Sequence, residues 1–337
     1  MKDADGFVFD KWNDGSRPVR EVVEFAEAAS DPASEGFIPE CDRIAVFDMD
    51  GTILSENNPG DIEWSLYLHR VMCDPGFHPS EEQRALAAEM IEVIRTGVKP
   101  PGFTERKNRC NAKAFAGMGM GEYARYSKEF MDGPSSTFDG AKRRQMFYLP
   151  MLQLMEYLET KGFRVFICSA TEVLNVRMTL DGIVDVPENQ ILGTEYMIEA
   201  SNQNGADGLS YTMGTGEEMV YTDRIIMIAS GMNKVVKLAQ SIGKRPVMAF
   251  GNGAGDYSML EYVSGNTRHP TKCFMVLADD SEREYGDAER AAPIREHALE
   301  RGWHPISMRD DFRTIYGDGI RPRYKRSSDV FEGDWSI

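Results

Sequence analysis

The sequence predicts an α/β fold, namely a doubly wound, Rossmann-like parallel sheet with an inserted helical cap domain. Short apolar runs such as Ile44–Phe47 lack the polar–apolar alternation of a half-exposed strand, which is typical of strands buried on both faces. Segments with helical spacing separate these runs, and strands that alternate with helices form parallel sheets with right-handed crossovers. A long, mostly helical region between the first two runs indicates the insertion.

Four strands are predicted, and polar residues follow or end each of them. The run IAVF precedes Asp48, residues 163–171 (FRVFICSAT) contain Ser169, the third strand begins at residue 246 and ends in a glycine-rich turn, and the fourth spans 273–280. A helix is predicted over 172–179. Residues 1–40 are predicted to be a peripheral segment beside the first strand, with a helix near 21–28. Beyond Asp280 the chain becomes polar, and it is predicted to fray from Tyr324 on.

Residues 57–148 are predicted to form the cap, and residues 1–56 and 149–337 the α/β core. Helical spacing marks Ile62–Met72, and Ser80 with Gln83 forms a capping box at the start of the next helix. Gly97 and the prolines at 100 and 101 end that helix. Two further helices flank the glycine-rich stretch 117–121. We therefore expect a helical cap over the active edge of the sheet.

Length and charge limit the class of partner. The 337 residues suffice for one large domain with an insertion, or for two domains. The formal net charge of −16 argues against a nucleic-acid partner, because the phosphate backbone binds basic faces. A small anionic substrate stays compatible where local cations or a metal reverse the field. No apolar run approaches the ~20 residues of a membrane span, and the oligomeric state is left open.

The five cysteines, at 41, 73, 110, 168 and 273, show no C-x-x-C pair and no metal-ligand spacing. We expect buried thiols, with one disulfide, for instance Cys73 to Cys110, as the alternative. The first residues lack the pattern of a signal peptide, so the sequence as it stands predicts a cytoplasmic protein. A periplasmic or secreted protein with a new initiator methionine would look identical.

Two carboxylates stand directly after the first strand. Asp48 and Asp50 flank Met49, and Gly51 and Thr52 follow, which places them at the carboxyl end of a central strand, where open α/β sheets bind ligands. The alternative is a solvated turn, since Asp and Gly are turn formers. Two carboxylates so close repel each other unless a cation lies between them, and Mg²⁺ prefers carboxylate oxygen. The pair therefore indicates a magnesium site that contains a nucleophile.

The other predicted strand ends carry compatible chemistry. Ser169, Asn252 and Asp256 lie there, and Lys234 lies on the helix that leads into the third strand. A carboxylate nucleophile suits phosphoryl transfer, because its phosphorylated form is readily hydrolysed. The transition state spreads negative charge over three oxygens, so cations and hydrogen-bond donors are needed around it. These residues predict a phosphoryl-transfer site.

These motifs, in this order, resemble those of the haloacid dehalogenase (HAD) superfamily of phosphatases. DMDGT resembles the first motif, which implies Asp48 as nucleophile and Asp50 as general acid/base. SAT at 169–171 resembles the second, which implies that Ser169 binds the phosphoryl oxygens. Lys234 stands where the third-motif lysine is expected, with Lys237 one turn along as the competitor. By the same resemblance, four neighbours are assigned to substrate binding: Gly51, Thr52, Ala170 and Thr171.

GNGAGD at 251–256 resembles the fourth motif, which contributes metal-binding acid. The resemblance thus implies Mg²⁺ held by Asp48, Asp50, Asp256 and Asn252. Many relatives have Asp where this chain has Asn252, and an amide oxygen ligates Mg²⁺ without bringing charge. Asp256 is therefore the safer ligand. The expectation is that the side chains of residues 48, 50 and 256 converge on one ion.

The insertion resembles the helical cap of the phosphoserine-phosphatase-like branch, with AFAGMGMGEY as a cap segment. FIPECDRIAVFDMDGT and RGWHPISMRDDF resemble a bacterial subgroup that includes phosphorylcholine phosphatases. The resemblance implies a phosphatase for a small phosphorylated metabolite such as phosphoserine, phosphoethanolamine or phosphorylcholine. An aromatic cage for a quaternary ammonium group would use Trp64, Tyr67, Tyr123 and Tyr126.

Two other features of the insertion have open interpretations. Asp61 and Glu63 either meet a substrate ammonium group or are ordinary first-turn acids of a helix. The insertion is also rich in cations within an acidic chain, and a solvated helix face is the alternative explanation for each: Arg106, Lys107, Arg109, Lys113, Arg125, Lys128, Lys142, Arg143 and Arg144.

Three functions remain open from the sequence. The first is a Mg²⁺-dependent phosphomonoesterase. The second is a phosphotransferase that passes the same aspartyl-bound phosphoryl group to an alcohol, which added acceptor alcohols would reveal. The third is a non-catalytic binding protein on the same scaffold, which Asn252 motivates.

Overall fold

The computed structural model describes residues 1–57 and 59–332. Seven strands form one sheet in the order β5-β4-β3-β1-β6-β7-β8, and β2 pairs with β9 separately. The strands are β1 (Ile44–Phe47), β2 (Phe138–Asp139), β3 (Arg164–Glu172), β4 (Ile191–Ala200), β5 (Met219–Met227), β6 (Met248–Gly251), β7 (Lys272–Leu277), β8 (His304–Ser307) and β9 (Arg321–Pro322).

Helices connect these strands. They are α1 (Arg17–Ser30), α2 (Ile62–Met72), α3 (Glu81–Thr96), α4 (Phe103–Phe115), α5 (Met120–Asp132), α6 (Leu149–Thr160), α7 (Val173–Leu180), α8 (Met232–Ile242), α9 (Tyr257–Ser264), α10 (Ala288–Glu300) and α11 (Met308–Asp311). Every neighbouring pair in the large sheet is parallel except the hairpin β4–β5. The predicted fold class, a mostly parallel doubly wound sheet, is confirmed.

Strand β1 lies in the middle of the sheet, and all four of its residues are buried. It pairs in parallel with β3 on one side and β6 on the other. The rings of Phe47 and Phe250 stack at 4.1 Å between centroids, and Phe274 stacks on Phe250 at 4.9 Å. A strand covered on both faces needs apolar residues at every position, which explains the unbroken run IAVF. The carboxyl ends of β1, β3 and β6 meet at one edge.

Three strands of the large sheet escaped prediction. β4 and β5 mix polar and apolar residues because they form a hairpin at the edge of the sheet, in which Tyr221 is the one buried residue of β5. β8 lies in the polar region beyond Asp280. β3 also runs to Glu172, three residues past Ser169. Helix α7 begins only after that, at Val173.

Both ends of the chain pack more closely than predicted. Helix α1 contacts α6, β7 and β8. Ahead of it, Phe9 packs edge-on against Tyr157 and Trp12 against Phe312. The C-terminal region was predicted to fray from Tyr324, but Ser327–Glu332 forms a 3₁₀ helix against α3, with Val330 and Phe331 buried. The remainder of that prediction, residues 333–337, lies outside the described residues.

Helices α2–α5, here called the helical block, lie between β1 and β3 in the chain. Asp61 caps α2 by accepting the Trp64 amide at 2.9 Å, and the predicted capping box of Ser80 and Gln83 is present at α3. The block joins the sheet at β5: Gly117 donates its amide to the Tyr221 carbonyl at 2.7 Å, and Tyr221 donates to Met118 at 3.0 Å. The division into core and cap at residues 57 and 148 stays a prediction.

All five cysteines are free thiols, which answers the open question about Cys73 and Cys110. Cys110, Cys168 and Cys273 are buried. Within residues 1–57 and 59–332, no helix combines the length and apolarity that a membrane crossing needs.

The buried carboxylate of Glu172 ties three elements together and leads to a prediction on stability. It accepts the Tyr221 hydroxyl of β5 at 2.9 Å and the Asn175 amide of α7 at 2.8 Å. Burial raises the pKa of Glu172 from an ordinary 4.5 to about 7. The folded protein therefore binds this proton more tightly than the unfolded chain, so its contribution is full below pH 4.5 and is lost as the pH rises through 7.

We predict that wild-type protein loses up to about 3 kcal/mol more unfolding free energy between pH 4.5 and 8 than the Glu172→Gln variant does. Urea unfolding of both proteins across this range measures the difference. Parallel pH profiles for the two proteins would contradict this prediction.

Candidate active site

A cavity of about 450 Å³ opens at the carboxyl ends of β1, β3 and β6 and is bounded on the other side by the helical block. Its floor carries the side chains of Asp48, Asp50, Thr171, Lys234 and Asp256, and its opposite wall those of Glu63, Trp64, Lys99, Phe103 and Lys107. The cavity thus collects most of the residues predicted from the strand ends.

Lys234 joins two of the predicted acids. Its buried ammonium group contacts Asp48 Oδ1 and donates to Asp256 Oδ1 at 2.6 Å. Thr52 donates its hydroxyl to the other oxygen of Asp48 at 3.2 Å. The competitor, Lys237, instead pairs with Glu195 of β4. Of the two lysines on α8, the structure therefore brings Lys234 to the site.

The electrostatics of this group reflect crowded negative charge. Burial and the neighbouring charge of Asp256 raise the pKa of Asp48 to about 7, although Lys234 opposes the shift. Burial lowers the pKa of Lys234, but the charges of Asp256 and Asp48 outweigh it and raise that pKa above its ordinary range. Lys234 is consequently a permanent cation in contact with Asp48.

Asp50 faces different partners. Its Oδ2 accepts the Thr171 hydroxyl at 2.8 Å and the Ser169 hydroxyl at 3.3 Å, and its Oδ1 accepts the Ile62 amide at 3.4 Å. Burial, followed by the charges of Asp61, Asp48 and Glu56, raises the pKa of Asp50 well above its ordinary range. A carboxyl group that holds its proton more tightly than usual is suited to donate it to a leaving oxygen.

Two residues predicted to bind the phosphoryl group, Ser169 and Thr52, donate hydrogen bonds to the acids of the site. Ser169 is fully buried, accepts the Thr171 amide at 3.1 Å and does not line the cavity, because β3 continues past it. Its hydroxyl therefore orients Asp50. Thr52 likewise serves Asp48, and Gly51 provides the turn. Ala170 and Thr171 do line the cavity, and their contact with a substrate stays a prediction.

The glycine-rich turn after β6 wraps around Asp256. Asp256 Oδ2 accepts the amides of Asn252 and Gly253 at 3.0 and 3.2 Å, which fixes the carboxylate. Gly51 has φ +76°, and a Cβ there would lie 1.8 Å from Asn252 Nδ2 and 2.7 Å from the Glu56 carboxyl carbon. Only glycine permits this close approach of the first and fourth motifs.

Sequence reasoning missed Glu56 and did not single out Lys107. Burial, followed by the charges of Asp48 and Asp61, raises the pKa of Glu56 to about 7. Lys107 donates to Glu63 Oε2 at 2.7 Å, and Tyr196 of β4 donates to Glu63 Oε1 at 3.3 Å. Glu56 lies four residues after Thr52, the end of DMDGT, and this proximity was the available signal. Lys107 was one of nine cations in the insertion that the sequence did not distinguish from one another.

The aromatic cage is not formed. Tyr67 and Tyr123 are buried in the core, where Tyr67 donates to the Gln83 carbonyl at 3.0 Å, and Tyr126 packs against Phe115. Of the four aromatic residues only Trp64 lines the cavity, and Lys99 Nζ lies 5.8 Å from its ring centroid. Asp61 is the N-cap of α2, and Glu63 is an acid of its first turn that pairs with Lys107; both also line the cavity, so the two interpretations stay predictions.

The expected convergence of Asp48, Asp50 and Asp256 on one ion is not seen. Among the described residues, no group of three or more His, Cys, Asp or Glu side chains is spaced to hold a metal. The available donors nevertheless include the kinds of ligand that a hard cation prefers, because the carboxylate groups of Asp48, Asp256 and Glu56 and the side-chain amide of Asn252 line one cavity. Burial, together with the charges of neighbouring carboxylates, raises the pKa values of Asp48 and Glu56. A dication would neutralise this negative charge.

Comparison with known proteins agrees with the fold. No protein-family model and no curated protein matches the chain. Among solved structures, a protein with unknown function from Bordetella pertussis Tohama I is 19% identical, with a TM-score of 0.50, over 78% of this chain and 97% of that one. A functionally unknown protein from Anaerococcus prevotii DSM 20548 is 15% identical, with a TM-score of 0.49, over 86% and 91%.

A phosphoserine phosphohydrolase-like protein from Francisella tularensis subsp. tularensis SCHU S4 is 14% identical, with a TM-score of 0.42, over 75% of this chain and 92% of that one. Structures described as HAD family or haloacid dehalogenase-like hydrolases also match. At these identities the likeness concerns the fold alone.

The packing around Gly51 gives a second prediction. Gly51→Ala adds a methyl group against Asn252 and Glu56 at positive φ, whereas Gly15→Ala adds one at φ +88° into open space. The backbone cost of about 1–2 kcal/mol is common to both variants, so we expect Gly51→Ala to lose roughly 1–3 kcal/mol more through overpacking. Urea unfolding of the two variants measures this, and equal losses would refute the close approach.

Proposed function

We propose that this chain is a phosphoric monoester hydrolase, a HAD-type phosphatase of the phosphoserine-phosphatase-like branch that works through an aspartyl-phosphate intermediate. The main support is the contact of Lys234 with both Asp48 and Asp256. Asp50, two residues after Asp48 in the sequence, accepts a hydrogen bond from the Thr171 hydroxyl. A nucleophile, a fixed cation and an acid thus line one cavity. Residues 57–148 are proposed as the cap that covers it.

The reaction takes two displacements at phosphorus. In the first, an Asp48 carboxylate oxygen attacks, the bond between phosphorus and the ester oxygen breaks, and Asp50 gives its proton to the leaving alkoxide. In the second, Asp50 takes a proton from water, whose oxygen attacks the aspartyl-phosphate, so that phosphate leaves and Asp48 is restored. Lys234 offsets the charge on Asp48 and on the phosphoryl oxygens throughout.

Mg²⁺ is proposed as the cofactor, held by Asp48 and Asp256 with Asn252 as a neutral ligand. It would supply positive charge against the phosphoryl oxygens that Lys234 does not reach. The Asp50 carboxylate is turned toward Ser169 and Thr171, so we assign it to proton transfer rather than to the metal.

The proposed substrate is a small phosphorylated metabolite, and the cavity favours some candidates over others. Phosphorylcholine loses its support because three of the four predicted cage residues lie away from the cavity. Phosphoethanolamine is also less favoured, because Lys107 already neutralises Glu63, the carboxylate that was predicted to bind its ammonium group. Lys99 in the cavity wall, which has no ion-pair partner among the described residues, instead favours an ester that carries a carboxylate, as phosphoserine does.

We predict that the wild-type protein hydrolyses p-nitrophenyl phosphate, loses this activity to a chelator and regains it with Mg²⁺. Asp48→Asn removes the nucleophile and should lower kcat by at least roughly 10³-fold with the thermal unfolding midpoint retained. Asp223→Asn, which removes an exposed carboxylate on β5, is the matched control and should keep wild-type activity. Turnover that survives in Asp48→Asn would overturn the proposal, as would the absence of any Mg²⁺-stimulated activity over a panel of phosphate esters.

A further inference from the structure

We propose that a second cavity beside the active site binds an anionic group, a carboxylate or a second phosphate, at the far end of the substrate's alcohol. This inference rests on the proposed phosphatase function and narrows its substrate class. The second cavity measures about 560 Å³ and adjoins the first, because the two share the wall residues Glu56, Asp61, Trp64, Lys99, Asn252 and Ile294. An ester whose phosphate lies at Asp48 has this cavity as the adjoining space for its remainder.

The second cavity is rich in cations within a chain of net charge −16. They come from three separate segments of the chain: Arg95 and Lys99 from the end of α3 and its loop, Arg290 from α10, and Lys325 with Arg326 from the C-terminal segment. Glu56 and Asp61, the acids nearest the active site, lie in the wall that the two cavities share, and Asp287 adds a third. The outer part of the cavity is therefore its positive end.

Two of these cations are already engaged. Arg95 donates to Glu92 at 2.8 Å and to the Phe331 carbonyl at 2.9 Å, and Arg326 pairs with Asp329 at 2.9 Å. Lys99 and Lys325 form no ion pair with any residue in 1–57 or 59–332, and Arg290 has only a 3.6 Å contact with Asp287. Three exposed cations are thus available to a ligand.

The available cations lie on both sides of the cavity. The Cβ position of Gly97 is 3.9 Å from Arg290 Nη2, so the α10 cation reaches the loop of the helical block that carries Lys99. Between them the wall is apolar, with Val93, Ile94, Val276 and Ile294. An apolar wall with cations from two facing elements fits an uncharged stem that ends in an anion, and it disfavours a cationic end.

The test uses alkyl phosphates of four to ten carbons whose far end is methyl, carboxylate, phosphate or trimethylammonium, assayed with Mg²⁺-loaded full-length protein. We expect at one stem length a kcat/KM about tenfold higher for the carboxylate or phosphate end than for methyl, and a lower value for trimethylammonium. The carboxylate and phosphate arms distinguish the two anions. The double variant Arg290→Glu/Lys325→Glu, whose residues line only the second cavity, should bring the ratio of anionic to methyl ester to one or below.

The matched control is Arg20→Glu/Arg268→Glu, which makes the same change of charge at exposed positions lining neither cavity and should keep the wild-type ratio. No anionic preference at any stem length, or equal losses in both double variants, would overturn the subsite while p-nitrophenyl phosphate turnover keeps the phosphatase proposal standing. If no ester is hydrolysed, the phosphatase proposal fails, and calorimetric binding of the carboxylate and methyl esters decides the subsite by the same ratios.

Discussion

The buried ammonium group of Lys234 is the charge on which the candidate site depends. It holds the carboxylates of Asp48 and Asp256 together at the edge of the sheet, where two unneutralised acids would repel each other. Removing one partner from such a buried group leaves an uncompensated charge in the interior. The free-energy cost of that charge is far larger than the net stability that the intact ion pair contributes. The same arrangement keeps one oxygen of Asp48 beside a cation, and the proposed phosphoryl transfer to Asp48 relies on this contact.

The sheet makes this contact geometrically possible. Strands β1 and β6 are paired, so the turns that follow them meet, and Gly51 lets the two turns approach within a distance that no side chain would allow. On the other side, the extension of β3 past Ser169 lets Thr171 and Ser169 hold Asp50. Asp48 and Asp50 therefore have different partners although they are two residues apart in sequence, and the proposed mechanism gives them different roles for this reason.

Local patterns predicted the parts of the molecule whose structure is set locally. The buried strand Ile44–Phe47, the capping box at Ser80 and the parallel sheet follow from apolar runs and capping chemistry, and they are found as predicted. Sequence alone left Lys237 as a competitor of Lys234, because one helical turn separates them and only the neighbouring strand decides which faces the acids.

Features that depend on distant segments were not accessible from the sequence. The aromatic cage failed because Tyr67 and Tyr123 serve the core of the helical block, and helical spacing does not distinguish a core face from a cavity face. Strand β5 lacks a buried run because it is the edge strand, and the buried start of β4, residues 191–194, continues into a partly exposed half. The second cavity is lined by Lys99, Arg290 and Lys325, which lie far apart in the chain, so no local sequence pattern predicts it.

The most direct measurement of the central claim is to look for the phosphoryl group on Asp48 itself. Protein mixed with a phosphate ester and Mg²⁺ is quenched in acid within the first turnovers, digested and sequenced by mass spectrometry, with hydroxylamine treatment to confirm an acyl phosphate. We predict one phosphoryl group on the peptide that contains residues 44–54, located at Asp48 and lost with hydroxylamine. Steady hydrolysis with the phosphoryl group on another residue would contradict it.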